Sequence, residues 1–226
     1  MKYLTLFLSA VLLAGCATTS PTNMQTRIDN IPMYGQPDIE RPDYAKKADN
    51  DFIQGNINEF GTRENASKAW YAIGEKFMRE GNLDYAMRRY NQSWLLNPDN
   101  YQPYWGFARV LMQQNRISEA LFYLEKSASL IDEPYQEVAL LSDLGSAYTF
   151  KAKEDPSFYK KANKVFQKST EMDATYPNSW KRWAYSLYDQ GKYSESWIKV
   201  IKYEELTSRN FPAPFIEKLS QKLSRP

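Results

Sequence analysis

The spacing of apolar residues in segment 67–100, SKAWYAIGEKFMREGNLDYAMRRYNQSWLLNPDN, constrains the fold more than any other feature of the chain. Two helical stripes follow each other with i, i+3, i+4 and i+7 spacing and a Gly-Asn break between them. The first stripe is Trp70, Ile73, Gly74 and Phe77, and the second is Ala86, Tyr90 and Ser93, with Pro98 after it. Helices of this length with one apolar face are not stable alone. The segment therefore predicts a helical hairpin, with Gly74 and Ala86 where the backbones approach closely.

The same pattern recurs along the chain, at first with a 34-residue shift. The stripe residues of the second copy are Tyr104, Phe107, Ala108, Leu111, Ala120, Leu124 and Ser127. Those of the third copy are Leu141, Leu144, Gly145, Tyr148, Ala162, Phe166 and Ser169, and those of the fourth are Trp180, Trp183, Ala184, Leu187, Ser196 and Val200. The W-x2-L-G-x2-Y…A-x3-F…P spacing resembles the tetratricopeptide repeat. Its signature positions here are Trp70, Gly74, Ala86, Tyr90, Pro98, Ala120, Gly145, Ala162, Trp180 and Ala184. Asp132, Ser196 and Val200 depart from it.

The resemblance implies an all-α, tetratricopeptide-like solenoid of about four helical hairpins over residues 67–210. The hairpins are predicted at 67–100, 101–134, 138–176 and 177–210. The end repeats of a solenoid need a cover for their apolar faces. We therefore expect an N-terminal capping segment at 44–66 and a C-terminal capping helix at 211–226, where Phe215, Leu219 and Leu223 form one stripe.

The chain begins MKYLTLFLSAVLLAGC, a positive start followed by an apolar run too short to span a bilayer as a stop-transfer helix. LAGC, which ends at the single cysteine Cys16, resembles the bacterial lipobox. The resemblance implies a signal peptide at 1–15, diacylglyceryl transfer to Cys16, cleavage before it and acylation of the new terminus. The alternative is an ordinary secretory signal with an incidental cysteine.

Residues 16–43 hold four prolines and little apolar periodicity, which predicts a flexible, Pro-rich tether after the acylated cysteine. Ile31, Met33 and Tyr34 leave a second interpretation open, a short recognition segment. Multiple acyl chains anchor a protein stably, so the protein is expected at the bacterial cell envelope. In enteric bacteria an Asp directly after the acylated cysteine resembles an inner-membrane retention signal, and this chain has Ala17 there. We therefore expect the protein at the outer membrane, facing the periplasm.

Composition excludes several classes of chemistry. The chain has no histidine, which removes the Ser-His-Asp triad, the Cys-His pair and His-based metal sites. Its net charge of +2, without a basic-aromatic stripe, gives no indication of nucleic acid. No phosphate-binding glycine motif occurs. We expect no cofactor, no metal and no small-molecule substrate, and membrane contact only through the N-terminal lipid.

In a solenoid of this kind the first helices of the hairpins line a concave groove. The residues predicted to face it are Tyr71, Glu75 and Met78; Trp105, Arg109 and Met112; Ser142, Ser146 and Thr149; and Lys181, Tyr185 and Tyr188. The candidate peptide-binding set is Tyr71, Glu75, Met78, Trp105, Arg109, Met112, Tyr185 and Tyr188. Aromatic and thioether groups hold peptide side chains, and Arg109 is suited to a carboxylate. The alternative is that these side chains only pack against the adjacent repeat.

The resemblance thus predicts a non-catalytic, membrane-anchored interaction scaffold that binds a partner peptide or protein in the groove. The groove does not reproduce the Lys/Asn/Arg carboxylate clamp of chaperone-binding tetratricopeptide domains. Tyr71 and Glu75 stand where that clamp needs Lys and Asn. Two alternatives stay open. One is a pilotin-like carrier or assembly factor for an outer-membrane client, and a remote one is a cell-wall hydrolase using paired carboxylates among Glu75, Asp143 and Asp189.

Overall fold

The structure is a computed structural model and describes residues 27–226, so the predicted signal peptide and Cys16 lie outside the described residues. Two short 3-10 segments, Ile28–Asn30 and Pro32–Gly35, precede ten α-helices. The helices are α1 (Asp43–Phe60), α2 (Arg63–Arg79), α3 (Leu83–Leu96), α4 (Tyr101–Gln113), α5 (Ile117–Leu130), α6 (Pro134–Lys151), α7 (Phe158–Met172), α8 (Pro177–Asp189), α9 (Tyr193–Thr207) and α10 (Ala213–Lys222). The described part of the chain is all-α, as predicted.

Four hairpins stack in chain order: α2 with α3, α4 with α5, α6 with α7, and α8 with α9. The second helix of each hairpin also packs on the first helix of the next. The first helices touch one another as well, α2 on α4 and α6 on α8. This is the solenoid that the repeat pattern predicts, with the first helices on one side and the second helices on the other.

An aromatic ring fills the space that the small residues leave between helices. Tyr90 of α3 is fully buried, and its ring lies between Gly74 of α2 and Gly106 of α4. A Cβ at Gly74 would lie 2.4 Å from Tyr90 Cε1, and one at Gly106 would lie 2.7 Å from Cδ1. The sequence pattern paired Gly74 with Ala86. The structure shows that Gly74 is small because it faces the Tyr90 ring.

Buried serines fasten each of the first three hairpins in the same way. Ser93, Ser127 and Ser169 are fully buried in the second helices. Their hydroxyls donate to the carbonyl oxygens of Ser67, Tyr101 and Val138, at 2.8, 2.9 and 2.9 Å. Each bond ties a second helix to the start of its own first helix.

The extra residues of the third copy lengthen the connection between its two helices. The connection between α6 and α7 runs over 152–157, whereas that between α2 and α3 runs over 80–82. Asp155 Oδ1 accepts a hydrogen bond from the Ser157 backbone N–H at 3.0 Å. Within residues 27–226 the longer loop leaves the stacking of the third and fourth hairpins intact, since α6 and α7 both pack on α8.

The predicted flexible tether at 16–43 needs a correction over its second half. The two 3-10 segments, Ile28–Asn30 and Pro32–Gly35, pack on α3, and Tyr34 is only 9% exposed. We predicted a tether because this segment has little apolar periodicity. The segment is held on α3 in part by hydrogen bonds, which apolar periodicity does not report. Asn91, a buried polar residue on α3, supplies hydrogen bonds to the backbone of this segment.

Helices α1 and α10 cover the two ends of the stack. Asn56 of α1 is buried and accepts a hydrogen bond from Trp70 Nε1 at 2.5 Å. At the other end Phe215 and Leu219 of α10 are buried against the last hairpin, and Trp197 Nε1 donates to the Leu223 carbonyl at 2.9 Å. None of the helices between residues 27 and 226 combines the length and apolar character needed to cross a membrane.

Candidate functional site

Two adjoining cavities lie along the side formed by the first helices. Met112, Asp143 and Arg182 line both cavities, so the cavities form one groove. We call them the apolar cavity, about 630 Å³, and the arginine cavity, about 660 Å³. The apolar cavity is also lined by Ser146, Thr149, Phe150, Tyr185, Tyr188, Asp189, Pro212, Pro214, Phe215 and Lys218. The arginine cavity is also lined by Met78, Trp105, Arg109, Gln113, Ala139 and Tyr176.

The wall of the apolar cavity is built where α10 meets the last hairpin. Phe215 of α10 packs edge-on against Tyr185 and Tyr188 of α8, with ring centroids 4.4 and 5.3 Å apart. Phe150, at the end of α6, remains 46% exposed. Asp189 stands at the edge, where burial raises the pKa of its carboxyl. The cavity thus offers aromatic surface beside several polar side chains, among them Asp143, Arg182 and Asp189.

The centre of the groove is held by one carboxylate shared between three repeats. Asp143 of α6 accepts a hydrogen bond from Trp105 Nε1 of α4 at 2.7 Å and pairs with Arg182 Nη1 of α8 at 2.5 Å. The Arg182 Nη1 also donates to Ser142 Oγ at 3.0 Å. Asp143 is 13% exposed and Arg182 is 36% exposed. The guanidinium is therefore oriented by Asp143 while part of it faces the groove.

A second ion pair joins the first two repeats. Arg109 Nη1 of α4 lies 2.7 Å from both carboxylate oxygens of Glu75 of α2. Glu75 also accepts a hydrogen bond from the Tyr90 hydroxyl at 2.6 Å. Burial, reinforced by the negative charge of Glu75, raises the pKa of Tyr90. Carboxylate and guanidinium are thus both paired inside the chain, and the floor of the groove is held in one geometry.

The structure brings six of the eight predicted groove residues to these cavities. They are Met78, Trp105, Arg109, Met112, Tyr185 and Tyr188. Tyr71 lies instead against Tyr90, with ring centroids 5.5 Å apart, and Glu75 serves as the partner of Arg109. Arg109 Nη1 is therefore paired with Glu75 within the chain, and the binding of a ligand carboxylate by Arg109 stays a prediction.

Sequence reasoning missed three groups that line the groove. Arg182 and Asp143 each stand one residue beyond the positions predicted to face it. Lys181 lies instead 5.8 Å from the ring centroid of Tyr203. The third group is α10 with the turn before it, which supplies Pro212, Pro214, Phe215 and Lys218. The stripe in 211–226 predicted a capping helix, but no local signal indicated that it also walls the cavity.

The carboxylates considered for hydrolysis have structural roles in two cases of three. Glu75 and Asp143 each pair with an arginine and accept a second hydrogen bond, from Tyr90 and Trp105. Both carboxylates are therefore already held by two polar partners within the chain. Among residues 27–226 no group of three or more Cys, Asp or Glu side chains is arranged to hold a metal ion.

Comparison with known proteins supports the repeat assignment directly. A family model described as tetratricopeptide repeat matches residues 77–140, which run from the end of α2 through α3, α4 and α5 to the start of α6. Residues 77–140 contain tetratricopeptide repeats. Comparison with curated protein sequences gave no match.

Solved structures of tetratricopeptide-repeat proteins share the fold. A thermophilic repeat protein of Thermus thermophilus is 14% identical with a TM-score of 0.59, covering 70% of this chain and 84% of its own. The pilF protein of Pseudomonas aeruginosa is 17% identical with a TM-score of 0.55, and the match covers 78% of this chain and 84% of pilF. YrrB, described as having an unusual peptide-binding site, is 14% identical with a TM-score of 0.52, covering 76% and 92%. Stacked repeats of this kind form concave surfaces for protein–protein interaction.

Proposed function

We propose that this tetratricopeptide-repeat protein is a non-catalytic scaffold of the bacterial cell envelope that holds a partner peptide or protein in its groove. The observation that carries the proposal is the continuity of the two cavities through Met112, Asp143 and Arg182. An apolar cavity with a few fixed polar groups is the usual form of a binding site. The description of YrrB as a peptide-binding repeat protein supports the same use of the fold.

The two cavities favour different parts of an extended peptide. The aromatic wall of the apolar cavity fits a large apolar side chain, since such rings bury much area at low entropic cost. The guanidinium of Arg182, already oriented by Asp143, is suited to donate to a peptide carbonyl oxygen beside it. Because the ion pairs fix the floor beforehand, less ordering is needed on binding.

Attachment to the membrane is a separate part of the proposal and rests on the LAGC sequence at residues 13–16. Acyl chains on Cys16 would hold the protein at the periplasmic face of the outer membrane. Metabolic labelling with an alkyne fatty acid tests this part. Label should enter the wild-type protein and be lost in Cys16→Ala, and an unlabelled wild type would contradict the anchor while leaving the groove untouched.

The groove is tested by crosslinking and affinity capture from intact envelopes, comparing two matched substitutions. Phe150→Ala removes a half-exposed ring from the apolar cavity, and Phe122→Ala removes a ring that is 61% exposed on α5, a second helix. The proposal expects a partner captured by wild type and by Phe122→Ala, and weakened at least several-fold by Phe150→Ala. Equal capture by both variants would place binding outside the apolar cavity and contradict the proposed use of its aromatic wall.

The identity of the captured protein separates the scaffold from the pilotin-like alternative. A soluble envelope enzyme fits a scaffold that recruits it. An outer-membrane protein whose assembly fails when the repeat protein is deleted fits a carrier. Capture of neither by the wild-type protein would contradict both uses of the groove.

A further inference from the structure

The segment before α1 is docked on the solenoid by a buried asparagine. We call residues 28–41 the strap. The Asn91 side chain, fully buried on α3, donates from Nδ2 to the carbonyls of Asp29 and Ile31 at 2.9 and 2.8 Å. Its Oδ1 accepts from the Tyr34 backbone N–H at 3.2 Å. All of these bonds go to strap backbone, so Asn91 fixes the path of the chain.

Side chains close the strap over this attachment point. Tyr34 packs into the cluster that holds Trp94, with ring centroids 6.4 Å apart. The Arg41 guanidinium lies 4.4 Å from the Tyr34 ring centroid and pairs with Asp49 of α1 at 2.5 Å. Arg88 Nε donates to Asn30 Oδ1 at 3.0 Å. The strap is therefore held at both ends and in its middle.

The backbone of the strap is strained where it turns. Met33 and Tyr34 both have a φ of 55°, in the left-handed region that non-glycine residues rarely occupy. Such a conformation persists only where surrounding contacts hold it. The contacts of Asn91 and the burial of Tyr34 are contacts of that kind, so the docked conformation is a specific one.

The strap lies on the opposite side of the solenoid from the groove. It packs on α3, a second helix, whereas the arginine cavity is lined from α2, α4, α6 and α8 and the loop before α8. From Cys16 to Ile28 the chain has twelve residues, which reach at most roughly 40 Å. From Cys16 to the start of α1 at Asp43 it has 27 residues, which reach roughly 95 Å.

We infer that the strap is an orienting device: docked on α3, it holds the second-helix side of the solenoid toward the membrane, so that the groove opens away from the bilayer. This inference rests on the proposed lipid anchor at Cys16. With the strap docked, the anchor is joined to the second-helix side by a short connection. Release of the strap more than doubles the reach of the tether and frees the groove to face any direction.

The test measures energy transfer from the protein to the bilayer. Full-length acylated protein carries a donor dye at Ser129→Cys, an exposed position of α5, and is placed in phospholipid vesicles with an acceptor-labelled lipid. Asn91→Ala removes the attachment and Tyr34→Ala removes the buried ring. Tyr44→Ala is the matched control, because Tyr44 is 79% exposed. Tyr34 lies outside the hairpins, so its variant remains informative if Asn91→Ala fails to fold.

The inference expects energy transfer to fall clearly in Asn91→Ala and Tyr34→Ala and to stay unchanged in Tyr44→Ala. Hydrogen exchange of the backbone amide at position 34, followed on the same proteins, should accelerate in the first two variants only. Unchanged energy transfer in acylated variants whose strap exchanges freely would overturn the orienting role alone. Absence of acylation at Cys16 would overturn the anchor and this inference together, and the fatty-acid labelling identifies that case.

Discussion

Among single residues, Gly74 has no room for a side chain, whereas Gly55 does. Both are in helices, but a Cβ at Gly74 would lie 2.4 Å from the buried Tyr90 ring, whereas one at Gly55 meets nothing within 4 Å. Gly74→Ala should therefore destabilise the protein by about 1–3 kcal/mol through overpacking. Gly55→Ala should stabilise it by about 0.5–1 kcal/mol, because alanine is the better helix former. Urea unfolding measures both, and equal stabilities would contradict the ring packing.

Tyr34 predicts a pH dependence of the strap. Burial raises the pKa of Tyr34 to about 12, from an ordinary value of 10.0. The stability from keeping this hydroxyl protonated is complete below pH 10 and is lost as pH rises from 10 toward 12. The loss is at most about 1.4 kcal/mol per pH unit. Phenylalanine cannot ionise, so the unfolding free energy of Tyr34→Phe should rise relative to that of wild type between pH 9 and pH 11. A constant difference would show that Tyr34 is already accessible to water.

Individual residues also show why the sequence predicted the interior of the hairpins but not the docked strap. The 34-residue period places Tyr90, Ala120 and Ala162 in the interior, because helix periodicity reports burial directly. Asn91, next to Tyr90, is a polar residue on the outer side of a second helix, which by pattern alone indicates solvent. Its partners are backbone atoms of a segment about sixty residues earlier. No local pattern carries that information, and the strap was therefore predicted as a tether.

At the scale of helices, the buried serines act as fasteners between the two helices of a hairpin. Ser127 Oγ donates to the Tyr101 carbonyl from a fully buried position, while Ser129, in the same helix, is exposed and donates to Lys126 within α5. Ser127→Ala should cost about 0.5–1.5 kcal/mol, the net value of one buried hydrogen bond. Ser129→Ala has the same change in helix propensity and should be near neutral or slightly stabilising. Thermal unfolding of the pair isolates the fastener, and equal melting temperatures would contradict it.

Helix-level patterns predicted the hairpins and most of the groove positions. Trp105, Arg109 and Met112 of the second copy line the cavities, and so do Ser146 and Thr149 of the third copy and Tyr185 and Tyr188 of the fourth. Asp143 and Arg182 also line the groove, one residue beyond the predicted Ser142 and Lys181. Which further side chains reach the groove depends on packing between hairpins, which a repeat alignment does not contain.

For the whole molecule, α10 has two tasks, since it ends the stack and forms one wall of the apolar cavity. Phe215, only 7% exposed, contacts Tyr185, Tyr188 and Phe211 at once. In a solenoid each repeat contacts only its neighbours, so stability is distributed locally along the stack. Damage at α10 should therefore be felt in the last hairpin and fade toward the first.

Phe215→Ala tests this local distribution. Loss of a buried phenylalanine costs about 3–5 kcal/mol, and we expect hydrogen exchange to accelerate strongly in α8 and α9 while α2 and α3 keep wild-type protection. Phe122→Ala, which removes an exposed ring, serves as the control and should change neither region. Uniform acceleration over all four hairpins would instead show that the stack unfolds as one cooperative unit. With local acceleration, ligand binding in the apolar cavity should protect the last hairpin first, because α8 and α10 form its wall.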